Sequence, residues 1–253
     1  MTVITPNAFR SQLIDAPQFW HDFNQGPWLQ SQLDARLAPW WSRFFGYHML
    51  KLGGLSISLD SQDCSIAHQV CVARTHPHRQ ITADPYQLPF VGKSFDAVLL
   101  LHQLEFSQDP HRLLREIDRV MMDDGYLVLA GWNPVSGMGL NRLLPWKRKR
   151  CPWHGRFFTQ GRIEDWLALL NFEVVHREHF GVCAGAHPSR WRERFDQQLS
   201  PWLPLLASNY LLIARKRTIP LNKVRPRLMA SRRPVVVVSN YRVQAKRQSS
   251  AEP

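Results

Sequence analysis

Cysteine is sparse in this 253-residue chain, and its four examples, Cys64, Cys71, Cys151 and Cys183, include no CxxC pair. That spacing excludes the common zinc patterns and a dense disulfide framework, and no metal site is read. No apolar run approaches the length of a membrane span, and the N-terminus lacks a basic stretch followed by an apolar one. A reduced, cytoplasmic protein is expected. Acid is scarce at the other end: residues 216–253 hold ten Lys+Arg against one Asp+Glu, whereas residues 1–215 hold 22 against 19. The net charge of +12 is therefore largely a property of the tail. No catalytic dyad stands out along the chain.

Apolar residues make up 44% of the chain, with ten Trp and thirteen Phe, enough for one substantial core or a core with a small appendage. The most legible stretch is Ile81–Ala130. Ala83-Asp84-Pro85 closes a short strand, because a residue before proline is pushed out of the helical region. Phe95–Leu101 is a continuous apolar run, the mark of a strand buried on both faces of a parallel sheet. Asp109-Pro110 predicts a helix start, with aspartate as cap and proline in the first helical position. Leu113, Leu114, Ile117, Val120 and Met121 then share one face. Asp123-Asp124-Gly125 reads as a turn and Tyr126–Ala130 as the next buried strand, completing a βαβ unit.

Elsewhere, residues 1–26 carry scattered aromatics without period. Leu29, Leu33, Leu37 and Trp40-Trp41 predict a helix over Trp28–Arg43 that Pro39 kinks or ends. It is either a core helix or a lid using Trp28, Trp40 or Trp41 as an aromatic wall. Tyr47–Leu52 predicts a strand followed at once by Gly53-Gly54, where a nucleotide-type ligand can approach backbone that carries no Cβ. His68–Ala73 is a second strand. Met138–Phe158 reads as a long loop with the basic run Lys147–Arg150 between Trp146 and Trp153. Arg162–Leu170 is a helix that Asn171 can end in a left-handed cap. Phe172–His176 and Asn209–Ala214 are the last strands, separated by a Trp- and Arg-rich excursion.

The runs Ala83–Phe90 and Lys93–Val98, Asp109-Pro110 with Leu114-Arg115-Glu116, and Gly125–Val128 together resemble the type 11 group of class I S-adenosylmethionine-dependent methyltransferases. Asn133-Pro134, Asp165-Trp166-Leu167, Leu170–Val174 and Ala214–Pro220 also resemble the bacterial YafS-like members. The resemblance implies an α/β fold: a Rossmann-like, seven-stranded, mostly parallel sheet with helices on both faces and an antiparallel final hairpin. The expected organisation is an irregular segment over residues 1–27, a methyltransferase-like domain over 28–215 and a basic, disordered tail over 216–253.

By the same resemblance, Gly53, Gly54, Asp84, Pro85, His102 and Gln103 bind S-adenosylmethionine. Asp84 would take the adenine amine, and His102 is the candidate base, although a structural histidine stays open there. Two departures matter. The glycine loop has two adjacent glycines instead of three spaced ones. The acid that would take the ribose hydroxyls after the second strand is replaced by Arg74-Thr75, and arginine cannot accept a hydrogen bond; Asp60 or Asp63 would have to substitute. Asp96, at the opposite strand end, reads as structural. Asn133-Pro134 follows the fifth strand and is not an amino-methyltransferase motif. The implied function is methyl transfer to an unidentified acceptor. The alternative is a catalytically degenerate binding or scaffold protein, RNA-associated through its basic tail. In either case the tail offers non-specific contact to nucleic acid.

Overall fold

The computed structural model describes residues 15–141, 144, 150–181 and 207–218. The basic residues Lys147 to Lys149 with Trp146, the excursion over residues 182–206 and the tail from Ile219 lie outside the described residues.

A 3-10 turn, Trp20–Asp22, precedes α1, Gly26–Trp41. Leu29, Leu33, Leu37 and Trp41 recur every four residues along α1 and are all buried, so this helix is held by one stripe. Pro39 sits in its last turn and the helix stops two residues later. There follow β1, His48–Leu52; α2, Gly54–Ile57; β2, His68–Ala73; β3, Ile81–Thr82; and β4, Phe95–Leu101. Next come α3, Pro110–Val120; β5, Met121–Trp132; α4, Gly137–Leu140; α5, Gln160–Leu169; β6, Phe172–Phe180; and β7, Asn209–Lys216.

Among the described residues seven strands form one sheet in the order β3-β2-β1-β4-β5-β7-β6. Pairings from β3 through β5 are parallel, and β7 is antiparallel to both its neighbours. Alternation along the central strands divides the core. Leu50, Leu52, Val98, Leu100, Leu127 and Leu129 face α3 and α5. Met49, Leu99, Leu101, Val128 and Ala130 face α1 and the aromatic N-terminal turn.

Local signals act as expected at several boundaries. The Asp109 side chain accepts the Arg112 backbone N–H at 3.0 Å and caps α3. Asn171 has φ +62 and ends the turn after α5. Asp96 accepts the backbone N–H groups of Tyr47 and His48 at 2.7 and 3.0 Å, a structural role at the strand entrance.

Other expectations need correction. Asp123-Asp124-Gly125 does not separate two elements: β5 runs through it, and the irregularity appears as a bulge. Three residues of β4, from Phe95 to Ala97, face six of β5, from Met121 to Tyr126, with Asp124 at φ +63. Helix α3 therefore feeds straight into the strand. β6 is also longer than its apolar pattern, because exposed and half-buried positions through His179 pair with β7 at the sheet edge.

Candidate active site

A cavity of about 180 Å³ opens at the carboxyl ends of β1, β2, β3 and β4, the edge where open α/β sheets bind ligands. Its walls come from four strand ends and from the N-terminal segment. β1 supplies Leu52, Gly53 and Gly54, and β2 supplies Ala73, Arg74 and Thr75. Ala83, Pro85 and Tyr86 follow β3, while Gln103, Phe106, Ser107 and Gln108 follow β4. Asp15, Ala16 and Gln18 close the remaining side.

The two glycines work by close approach. Gly53 has φ +92, its N–H donates to the Val72 carbonyl at 2.9 Å, and a Cβ there would collide with Gln103 Oε1. A Cβ on Gly54 would stand 2.6 Å from the backbone of Gln18. Glycine thus lets both the turn after β1 and the N-terminal segment pack against the cavity. Gln18 Oε1 is buried without a hydrogen-bond partner and lies 2.9 Å from that same Gly54 position. The residue was not legible as a site residue, since its role depends wholly on tertiary approach.

Asp84 stands at the rim. Its Oδ1 accepts from Arg74 Nη2 at 2.8 Å and from the Tyr86 backbone N–H at 3.2 Å. Arg74, in the place expected for a ribose acid, is therefore bound to the residue expected to read adenine. Neither Asp60 nor Asp63 lines the cavity, so neither takes over the ribose contact there. The Tyr86 hydroxyl accepts the Gln108 N–H at 2.6 Å and bonds Ser107 Oγ at 2.8 Å, tying the loop after β3 to the loop after β4. Glu116 reinforces that loop by accepting the Leu88 N–H at 2.7 Å. The Arg119 guanidinium beside Glu116 holds its carboxyl below the usual range.

His102 is not among the lining residues and is fully buried behind them. Its backbone is left-handed at φ +49, pinned by its N–H donating to the Ala130 carbonyl at 2.9 Å. Trp132 packs on the ring at 4.0 Å between centroids, and Trp20 meets it edge-on at 6.1 Å. Glu105 Oε1 is 3.5 Å from His102 Nδ1, too long for a good hydrogen bond, and accepts the Trp132 backbone N–H at 2.9 Å. Both imidazole nitrogens, Glu105 Oε2 and the indole nitrogens of Trp20 and Trp132 have no hydrogen-bond partner. Nearby Tyr210 stays neutral, its phenol pushed well up by burial and then by Glu105.

Of the expected site residues, the fold brings Gly53, Gly54, Pro85 and Gln103 to one cavity, with Asp84 beside it and His102 behind. Trp28, Trp40 and Trp41 all join the α1 face of the core instead of walling the cavity, whose aromatic lining is Tyr86 and Phe106. Asn133 is structural, donating from Nδ2 to the Ala207 carbonyl at 3.0 Å. Burial, helped by Asp22, pushes the Cys151 thiol up to about 12.

S-adenosylmethionine fits this donor set in part. The glycine turn leaves room for a close ligand, and the orphaned Gln18 oxygen offers a buried acceptor. The ribose end lacks the doubly accepting carboxylate.

Comparison with known proteins agrees with this geometry. A family model described as a methyltransferase domain, of the type 11 group, matches residues 48–129. The Escherichia coli protein YafS, itself uncharacterised, is 44% identical over 210 residues, spanning 83% of this chain and 85% of YafS. A S-adenosylmethionine-dependent methyltransferase from Archaeoglobus fulgidus superposes with a TM-score of 0.53 at 19% identity, over 74% of this chain and 94% of that one. The YcgJ protein of Bacillus subtilis superposes with a TM-score of 0.51 at 14% identity, over 75% of this chain and 100% of its own. At such identities the superpositions speak for the fold.

Proposed function

Since the chain belongs to the class I S-adenosylmethionine-dependent methyltransferases, as a YafS-like member of the type 11 group, we propose that it transfers the methyl group of S-adenosylmethionine to an acceptor. The observation that carries this is the cavity at four strand ends, with Gly53 at φ +92 on its floor. Gly53 and Gly54 would lie against the amino-acid end of the donor, with Gln18 Oε1 accepting from it. Asp84 and Pro85 would hold the adenine edge, and Gln103 the middle. When bound, S-adenosylmethionine supplies an already activated sulfonium methyl. The protein's part is then to align the acceptor and keep water out, which suits a site roofed by the segment from Asp15 to Gln18. His102 is the residue for taking a proton from an acceptor that must lose one.

The ribose end supports weak binding. Arg74 donates only, so losing the carboxylate contact should weaken affinity by roughly ten- to a hundredfold relative to a site that has it. Titration calorimetry with S-adenosylmethionine and S-adenosylhomocysteine tests the proposal. Saturable heat with either ligand is expected. No heat and no thermal shift at millimolar ligand would overturn it and leave the fold as a binding module.

A further inference from the structure

One residue past Thr75 of the cavity wall, His76 is fully buried. Its two ring nitrogens fix its protonation. Nδ1 accepts the backbone N–H of His78 at 3.2 Å, so it carries no proton. Nε2 lies 3.2 Å from Ser58 Oγ, and that hydroxyl donates its one proton to the Gly54 carbonyl at 3.1 Å. Ser58 must therefore accept from the ring, and Nε2 must donate. Two independent bonds thus ask for the same neutral form. The chain of bonds runs from the loop after β2 through His76 and Ser58 to Gly54, which lines the cavity. On its other side the ring meets Phe19 at 4.8 Å between centroids. Phe19 follows Gln18, the residue whose backbone stands against Gly54. The N–H groups of Gln18 and Phe19 both go to Asp22 Oδ2, at 2.8 and 2.9 Å, so these residues hold together as one turn.

We infer that His76 is a positioning residue for the cavity, and that a proton on its ring loosens the glycine turn and the roof together, so that ligand affinity falls in acid. A proton on Nδ1 would point at the His78 N–H, a donor facing a donor, and would leave a buried cation without an acceptor there. Relief requires the ring to turn, which gives up Ser58 and Phe19 at once. The groups that face the ring set the direction. Its own loop brings His78 and Arg79, whose Nη1 donates to the His76 carbonyl at 2.7 Å. The 3-10 turn brings Asp22, and His21 lies beyond Phe19, stacked on it at 5.0 Å. Ser58, the contact from α2, carries no charge. Burial, with His78 and Arg79, outweighs Asp22 and holds the imidazole below its ordinary value. A base so depressed contributes fully above the ordinary histidine value of about 6.5, and the contribution is lost as pH falls through the lowered one.

The ligand in the test rests on the proposed function; the loosening of the roof does not. The full chain is followed from about pH 7.5 to about pH 5 by hydrogen exchange over residues 15–22 and 53–58, and by titration calorimetry with S-adenosylhomocysteine. Wild-type affinity should fall roughly three- to tenfold across that window, the scale of one neutral hydrogen bond. Protection should fall in the same two segments and hold in β1 and β4. His76→Gln can accept and donate as the neutral ring does, and it cannot charge. At the upper pH it should bind within about threefold of wild type, and its affinity and protection should stay level as pH falls. That rescue separates a positioning role from a purely structural one. His76→Ala should bind as weakly at the upper pH as wild type does at the lower one. His78→Gln and His21→Gln should keep the wild-type slope. His76 is not the sensor if wild-type protection, or the affinity of a ligand that binds, stays level across the window. The same follows if the slope persists in His76→Gln or disappears in either neighbouring substitution. No S-adenosylhomocysteine binding at the upper pH, with the exchange change present in wild type and lost in His76→Gln, sinks the proposed function and leaves His76 holding the roof.

Discussion

A guanidinium and a carboxylate meet at the cavity mouth, and their exposure decides what the pair is for. With Arg74 and Asp84 side chains 38% and 48% exposed, their 2.8 Å contact contributes about 0–1 kcal/mol to stability. Arg74→Ala should therefore leave the melting temperature nearly unchanged. It should also strengthen S-adenosylhomocysteine binding a few-fold by freeing Asp84, with calorimetry as the check; tighter binding lost by the substitution would mean that Arg74 orients Asp84 instead. Asp84→Leu should weaken binding by roughly ten- to a hundredfold. Gln18→Ala is the companion test, because its oxygen is the buried acceptor left unpaired beside Gly54. It should weaken the cofactor by roughly three- to tenfold, the range of one neutral hydrogen bond. The turn that carries Asp84 was legible in the sequence because Asp-Pro is its own turn signal. Gln18 and Trp20 were not, because a polar or aromatic residue in an aperiodic segment gains a role only from what it lands beside.

Elements were legible in proportion to how local their causes are. α3 could be read from Asp109-Pro110 and its apolar face because cap and stripe lie within eleven residues. β4 could be read from an unbroken apolar run. The bulge in β5 could not, since Asp123-Asp124-Gly125 has turn chemistry and only the pairing of the flanking Met121 and Tyr126 with β4 keeps it in the strand. The short helix α2 after Gly53 also escaped notice, four residues being too few to show a period. Its packing yields a prediction. A methyl group on Gly54 meets backbone of Gln18, which cannot rotate away. Gly54→Ala should thus push the 15–19 segment off the cavity, raising hydrogen exchange there while β1 and β4 stay protected. Unchanged exchange in that segment would show that it yields without detaching. α3 supplies a second test, through Glu116, which ties the helix to the loop at Leu88. Its carboxyl titrates below the ordinary glutamate value of about 4.3, chiefly through its hydrogen bond from Arg119. That contribution is complete above the ordinary value and is lost as pH falls through the depressed one. Glu116→Gln should flatten the acid side of a denaturant-midpoint profile and leave its slope near neutrality alone. A parallel displacement of the whole profile would remove Glu116 as the source.

At the scale of the molecule, charge and fold separate along the chain. Among the described residues the last strand is β7, and Arg217 then pairs with Glu173 at the edge of β6. Beyond Thr218 the sequence carries eight Lys+Arg and one Asp+Glu. Lys and Arg that contact a polyanion bind by displacing its counterions, a contact that does not depend on sequence. The full chain should therefore bind single-stranded RNA without sequence preference, with each phosphate contact adding about −0.7 to the log–log dependence of affinity on salt. A chain ended at Thr218 should melt cooperatively at nearly the same temperature and still bind S-adenosylhomocysteine as before. Its RNA affinity should fall and its salt slope should flatten toward zero. Filter binding at four salt concentrations, run on both chains, separates the outcomes. If the shortened chain keeps both affinity and slope, the contact lies on residues before 219, and the basic run from Lys147 to Arg150 becomes the surface to substitute. If it loses its cooperative melt instead, residues after 218 belong to the fold, and the boundary drawn from composition is wrong. A flattened slope with an intact melt and intact cofactor binding is the expected result, because the residues that build the cavity and those that carry the excess charge occupy different parts of the sequence.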